Sequence, residues 1–313
     1  MTIIQLQYTH ALVKYANYGR AAKSLGISQP ALSLQIKKLE YELGFQLIDR
    51  SRKKMSVTEK GEIFLKRSKL LLNENKQLQS LVSKLRNDDT GVLKIGIIPT
   101  LAPYLIPLFI DQMNEQHDQI KMHIVELLTE EILEQIITGD LDGGIIATPI
   151  TSQISFEIEP LFYEKFMLFV SPDHELSSTE FIDVKDIPVA DIRLLKEGNC
   201  FRDQVNNICE LAKDKSTTNL FQFESNSIES LCRIVEFKGG VTFLPELTTM
   251  HISSDREDLI KELKGSKKVR ELSLINLPNQ LNKENMNLLA EVIKGSLPKH
   301  LLDRGKAKPV PIS

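Results

Sequence analysis

Cys200 and Cys209 stand nine positions apart in the run Gly198-Asn199-Cys200-Phe201-Arg202-Asp203-Gln204-Val205-Asn206-Asn207-Ile208-Cys209. Thiolates attack oxidants and disulfides, so the chemistry open to such a pair is reversible oxidation. Phe201, Val205, Ile208 and Ala212 recur at helical spacing after the strand-like Asp191–Leu195, which predicts Cys200 at or near a helix N-terminus. Unpaired backbone N–H groups and the positive end of the helix dipole favour a thiolate there, and Arg202 adds to them. An unbroken helix would hold the two Cα atoms about 13 Å apart at ~1.5 Å per residue. A disulfide needs about 4.4–6.8 Å. Joining the sulfurs therefore requires this segment to unwind, which predicts a conformational switch.

The third cysteine, Cys232, shares a helical face with Ile228, Leu231 and Val235 and is expected to pack rather than react. Three cysteines do not make a disulfide scaffold, and they suit a reducing compartment in which a bond between Cys200 and Cys209 would be transient. The six histidines lack zinc-like spacing, so no metal site and no cofactor are expected. No apolar run approaches the ~20 residues of a membrane span, and the start lacks a signal-peptide pattern, so a cytoplasmic protein without a membrane partner is expected.

Across 313 residues the net charge of −3 hides an asymmetry. Residues 1–87 carry 16 Lys and Arg against 6 Asp and Glu, a net of +10, and the remainder carries 23 against 36, a net of −13. A basic first quarter on an acidic body points to a polyanion partner for the first part only.

That first part has the pattern of a helix-turn-helix. Leu6, Leu12, Val13, Ala16 and Ala22 mark a first helix and the start of a second, which Gly26 closes with Ile27 as a plug. Ser28 caps a third helix with Pro30 in its first turn. Leu32, Ile36, Leu39 and Leu43 form its apolar stripe, while Gln29, Pro30, Ser33 and Lys37 occupy another face. Phe45–Arg50 and Lys54–Val57 read as a small hairpin around Arg50, Arg52, Lys53 and Lys54, placed for phosphate or minor-groove contact. From Thr58 a long helix runs to about Leu85, with Ile63, Leu70, Leu71, Leu78, Leu81 and Leu85 at coiled-coil-like spacing that calls for a second chain.

These residues carry a resemblance. Ala21-Ala22, Leu25, Ile27-Ser28-Gln29-Pro30-Ala31-Leu32-Ser33 and Gln35-Ile36, followed by Leu39-Glu40, Leu43-Gly44, Leu47 and Arg50, resemble the winged helix-turn-helix of LysR-type transcriptional regulators over residues 1–65. The resemblance implies that Gln29, Pro30 and Ser33 face bases, while Arg20, Lys37, Arg50, Arg52 and Lys53 face the DNA backbone. It also implies a dimerising linker helix over 58–87.

The expected fold is α/β: the winged helix-turn-helix and linker helix, then a two-lobed regulatory domain resembling periplasmic binding proteins over 88–302. Strands alternate with helices from Val92 onward and predict open, parallel-type sheets. Lobe I is expected over about 91–163 and 268–302, lobe II over about 164–267, and a disordered tail over 303–313.

Within this body Gly198, Cys200, Arg202-Asp203-Gln204 and Cys209, with Ile98-Pro99-Thr100, Pro103-Tyr104-Leu105 and Thr129, are similar to the OxyR-type hydrogen peroxide sensors of the same family. By that resemblance Cys200 is oxidised to a sulfenic acid, Cys209 resolves it into a disulfide, and Thr100 and Thr129 hold peroxide and water, with Arg202, Asp203 and Gln204 in support. Two positions depart from relatives: Asn199 stands where many have histidine, and Leu277 stands where some have an activating arginine, leaving Arg202 or Arg270 as the cation. From the residues alone, Thr100 and Thr129 could instead be helix caps. The implied function is regulation of peroxide-defence genes by a non-enzymatic homodimer or homotetramer. Its partners would be promoter DNA, RNA polymerase, peroxide and a cellular thiol reductant. Two rivals remain at this point: a metabolite bound between the lobes, or a thiol peroxidase joined to a DNA-binding module.

Overall fold

The computed structural model describes residues 1–49, 55–85, 92–209, 225–265, 267–278 and 281–312. The predicted wing residues Arg50, Arg52, Lys53 and Lys54, the last residues of the predicted linker helix and Ala212 lie outside them. The chain divides into two units, essentially residues 1–89 and residues 90–313.

In the first unit α1 (Ile3–Tyr15), α2 (Tyr18–Ser24) and α3 (Gln29–Leu43) enclose Leu6, Leu12, Ala21, Ala22, Leu32, Ile36 and Leu39. Each helix starts where a side chain accepts from an otherwise unpaired backbone N–H. Thr2 accepts from Gln5, Asn17 from Arg20, and Ser28 from Ala31. Ala16, expected inside the first helix, is instead its left-handed cap at φ 45° and is exposed. Gly44 ends α3 at φ 74°, a conformation that suits a residue without a Cβ. The hairpin strands β1 (Ile48–Asp49) and β2 (Ser56–Val57) are two residues each and antiparallel. Thr58 Oγ accepts from the Gly61 N–H at 3.0 Å and opens α4 (Glu59–Leu85). Along α4, Ile63, Leu71, Leu78, Val82 and Leu85 are exposed.

The second unit is built on a mixed sheet, not the parallel-type sheets expected. Its main path runs β4 (Lys121–Glu126), β3 (Val92–Ile97), β5 (Gly143–Thr148), β11 (Lys268–Asn276), β6 (Glu157–Val170), β10 (Ile260–Leu263) and β7 (Phe181–Ile182). β3 pairs in parallel with β4 and β5, whereas β11 runs antiparallel to β5 and β6. The long strand β6 changes partner midway: Glu157–Lys165 faces β11, and Phe166–Val170 faces β9 (Val241–Pro245). β9 also pairs with the short β8 (Ile192–Arg193). Around this sheet lie α5 (Ala102–Gln116), α6 (Thr129–Thr138), α7 (Cys200–Cys209), α8 (Ile228–Lys238), α9 (Glu246–Thr249) and α10 (Lys283–Ser296).

The expected disordered tail is a second correction. Lys308–Pro309 forms β12, parallel to β11, and Val310 is buried in the same core as Phe201, Val205 and Ile208. Apolar burial and three backbone hydrogen bonds, from the N–H groups of Lys308, Val310 and Ile312, order a segment whose composition reads as a polar terminus.

Candidate functional site

Helix α7 spans Cys200 to Cys209 without interruption, so the two cysteines are its first and last residues. Asn199 caps it: the Asn199 Oδ1 accepts from the Phe201 N–H at 3.0 Å. Gly198 sits at φ +83°, where a side chain would be strained, and turns the chain into the helix. Phe201, Val205 and Ile208 anchor the apolar face of α7 in the core. Phe201 stacks on Phe166 with ring centroids 5.6 Å apart. Cys200 and Cys209 are both free thiols, Cys200 buried and Cys209 half-buried.

The cation beside Cys200 is Arg270. Its Nη2 lies 4.0 Å from the Cys200 Sγ and donates to Thr100 Oγ1 at 2.6 Å. Its Nη1 donates to Glu164 at 3.0 Å, and its guanidinium lies over the Phe201 ring at 5.2 Å. Arg270 and Glu164 are directly opposed residues of β11 and β6, which explains their meeting. Both are essentially inaccessible to solvent. Glu164 also accepts from the Leu247 N–H at 3.0 Å. Burial, the dominant influence, pushes the Glu164 carboxyl above its ordinary range, against the opposing pull of Arg270 and the Leu247 N–H.

Arg202 turns away from the thiol. It donates to the Leu195 carbonyl at 3.0 Å and lies 3.4 Å from Glu197. Leu277 is an apolar residue just beyond the C-terminal end of β11 and leaves no cation missing, because Arg270 already occupies the site. Neither threonine is a cap. Thr100 precedes α5, whose N-terminus has no side-chain cap bond, and its hydroxyl accepts from Arg270. Thr129 begins α6 with a buried hydroxyl that finds no partner among the described residues. The start of α6 adjoins the cysteine loop, since Leu128 Cδ1 would lie 3.8 Å from a Cβ on Gly198.

Gln204 is one helical turn from Cys200 on the same buried face. Its Oε1 has no partner among the described residues, and the same holds for Asn199 Nδ2 and Arg270 Nε. Asp203 is half-buried beside them on α7. Cys209 has different surroundings: burial pushes its thiol up to about 11, against the weaker opposing effect of Lys268. Cys232 packs in the core with Ile228, Leu231 and Val235, and burial raises it to about 12. Among the described residues no group of His, Cys, Asp and Glu is arranged to hold a metal ion, and no helix is long and apolar enough to cross a membrane.

In the first unit Gln29, Pro30 and Lys37 are exposed on α3, Ser33 is half-buried between them, and Arg20 is exposed on α2. Glu40 was not foreseen as structural. Its Oε1 accepts from the N–H groups of Leu47 and Ile48 at 2.9 and 3.1 Å and so ties α3 to the start of the hairpin. Glu164 was also missed. The sequence signal for both partners of the buried pair is an adjacent pair of opposite charges inside an otherwise apolar strand run, Glu164-Lys165 within Leu161–Met167 and Arg270-Glu271 within Val269–Ile275.

Comparison with known proteins agrees with this architecture. Residues 3–62 match the bacterial regulatory helix-turn-helix protein of the lysR family, and residues 86–298 match the LysR substrate binding domain. The hydrogen peroxide-inducible genes activator of Haemophilus influenzae is 34% identical over 251 residues, covering 80% of this chain and 82% of that protein. The DNA-binding transcriptional dual regulator OxyR of Escherichia coli K12 is 35% identical over 248 residues, covering 79% and 80%. A singly substituted full-length OxyR from Pseudomonas aeruginosa superposes with a TM-score of 0.67 at 29% identity, covering 94% of this chain and 95% of the other. A hydrogen peroxide-bound OxyR mutant from Corynebacterium glutamicum gives 0.57 at 26% identity, covering 94% and 92%. Proteins of this kind are transcription factors, not enzymes. The chain belongs to the LysR family of bacterial transcription regulators, and within it to the OxyR type.

Proposed function

We propose that this protein senses hydrogen peroxide through Cys200 and Cys209 and regulates oxidative-stress genes by binding promoter DNA. One observation carries the reading: a buried thiol at the start of α7, with a buried guanidinium 4.0 Å away, shares that helix with a second thiol at its far end. The Cys200 thiolate attacks one peroxide oxygen. The S–O bond forms as O–O breaks, and the departing hydroxide is protonated to water. The Cys209 thiol then attacks the sulfenic sulfur, the S–S bond forms and a second water leaves. Arg270 is placed to meet negative charge at the reacting sulfur and oxygen, and the buried, unpartnered atoms of Thr129, Asn199 and Gln204 supply preorganised donors and acceptors. Thr100 holds the guanidinium in place.

An intact ten-residue α7 sets the sulfurs' Cα atoms about 13 Å apart, so the second step demands that α7 unwind. That refolding would alter contacts between subunits of a homotetramer and the spacing of its DNA-binding domains. The exposed apolar stripe of α4 supports pairing between chains. On DNA, Gln29, Pro30 and Ser33 would face bases, with Arg20, Lys37, Arg50, Arg52 and Lys53 on phosphates. RNA polymerase would be the downstream partner, and a cellular thiol would reset the switch.

The test treats reduced protein with one equivalent of peroxide and maps disulfides by mass spectrometry. The expected product is a Cys200–Cys209 bond, absent in Cys200→Ser, which still binds DNA. Unchanged thiols would favour a metabolite-binding regulator, and sustained peroxide removal with added reductant would favour a peroxidase.

A further inference from the structure

The C-terminal segment reaches the cysteine helix through its backbone. The buried Gln204 amide nitrogen donates to the Val310 carbonyl at 2.8 Å, and Asn207 donates to the Pro311 carbonyl at 3.1 Å. The segment is fixed in turn by three of its own N–H groups: Lys308 to the Lys267 carbonyl at 2.7 Å, Val310 to Val269 at 2.9 Å, and Ile312 to Pro149 at 3.2 Å. Val310 is 4% exposed and packs in the core that holds Phe201, Val205 and Ile208 of α7. Lys268, beside β12 in register, donates to the Asn207 carbonyl at 3.3 Å.

A backbone carbonyl only accepts, so Val310 dictates the orientation of the Gln204 amide: its NH₂ faces the tail. The Gln204 Oε1 must then point elsewhere, and it is a buried acceptor with no partner among the described residues, one turn from Cys200. We propose that the strand Lys308–Ile312 is a positioning element of the thiol site: it orients Gln204 for the reaction at Cys200 and clamps α7 in its helical form. Two of its anchors, Gln204 and Asn207, lie inside the segment that must unwind to join the cysteines. Disulfide formation therefore undocks the tail, and a docked tail opposes closure of the disulfide without opposing the first step at Cys200. This inference rests on the peroxide-switch reading above.

Hydrogen exchange of the full chain, read on C-terminal peptides, tests it. Lys308, Val310 and Ile312 supply three slow amides in the reduced protein, and Pro309 and Pro311 have none. After one equivalent of peroxide those amides exchange about tenfold faster or more, the least expected from losing two hydrogen bonds and one buried valine. Cys209→Ser, which stops at the sulfenic acid, keeps them slow. Disulfide mapping of the same sample separates the two ideas. A Cys200–Cys209 bond with an unchanged tail overturns the clamp alone, whereas absence of the bond overturns both.

The positioning role is read in the Cys209→Ser background, as the rate of sulfenic acid formation. Removing residues 308–313 and, separately, Gln204→Ala each slow it severalfold, and combining them adds nothing further because both act through one amide. Val310→Asp, which undocks the tail without shortening the chain, matches the truncation. Fully additive losses, or no loss in either variant, would overturn the assignment.

Discussion

The helix-turn-helix unit and the surroundings of Cys200 both bury charge, but they treat their polar groups in opposite ways. In the first, Glu40 accepts two backbone N–H groups, and Thr2, Asn17 and Ser28 cap the helices. Among its described residues only the Tyr18 hydroxyl is buried without a partner. Around Cys200, by contrast, Thr129, Asn199, Gln204 and Arg270 each keep one buried atom unpartnered. Such an atom costs roughly 1–3 kcal/mol. A fold that gathers such atoms on Asn199, Gln204, Arg270 and the start of α6 gives up stability there, the arrangement that the proposed peroxide site calls for. One region is finished by folding. The other keeps polar atoms without a partner among the described residues.

The sharpest way to break this contrast is to remove the buried cation. Arg270→Met leaves Glu164 buried and unpaired, a loss of about 3–5 kcal/mol. Urea denaturation should show it in the second unit and not in the first. Adding Glu164→Gln should restore much of the stability while leaving sulfenic acid formation slow. A double variant that reacts with peroxide at the original rate would remove Arg270 from the chemistry.

A smaller effect is expected on the other side. Glu40→Ala strands the N–H groups of Leu47 and Ile48, a cost of about 1–3 kcal/mol. It should loosen the wing and weaken DNA binding, with disulfide formation unchanged. Parallel loss of both activities would show that the two units are not independent.

The weakest and most easily measured differences lie in pH. Burial, with help from Lys69, lowers His10 from its ordinary 6.5 to about 4, and its Nε2 sits 2.8 Å from the Ser68 hydroxyl. Its folded value is depressed, so its contribution to stability is complete above pH 6.5 and is lost as pH falls through about 4. Thermal melts of the DNA-binding unit from pH 7 to 4 should follow that window, and His10→Gln should flatten it. Cys209 shifts the other way, raised by burial from 9.0 to about 11. The folded state favours its neutral thiol, so stability is intact below pH 9 and declines toward pH 11. Alkylation of Cys209 in the reduced protein should therefore rise only as pH approaches that upper value. Ready alkylation at pH 8 would mean that α7 opens without oxidation.

Much of the architecture was legible in the chain because local rules write it. Ser28 with Pro30, the stripe Leu32, Ile36 and Leu39, and the start of α4 at Thr58 follow from capping and periodicity alone. So does the run of α7 from Cys200. What escaped was settled by partners distant in sequence. For Thr100 the residues alone leave a cap as an alternative to the pocket, yet its hydroxyl bonds to an arginine 170 residues away. Arg202 is near Cys200 in sequence but its guanidinium points to Leu195 and Glu197. The tail reads as disordered because its order comes from β11, Pro149 and Gln204, none of them near it in sequence.

The residue pattern by itself determined a basic helix-turn-helix joined to an acidic α/β body, with two thiols on one helix. Helical periodicity, caps and charge act within a few residues, so they survive in the linear order. Only the tertiary structure decided which cation meets Cys200, what holds Gln204, and why the last residues are ordered. Those outcomes depend on β6 changing partner at Lys165 and on β11 carrying Arg270 opposite Glu164, 106 residues away, pairings between strands that are far apart in sequence.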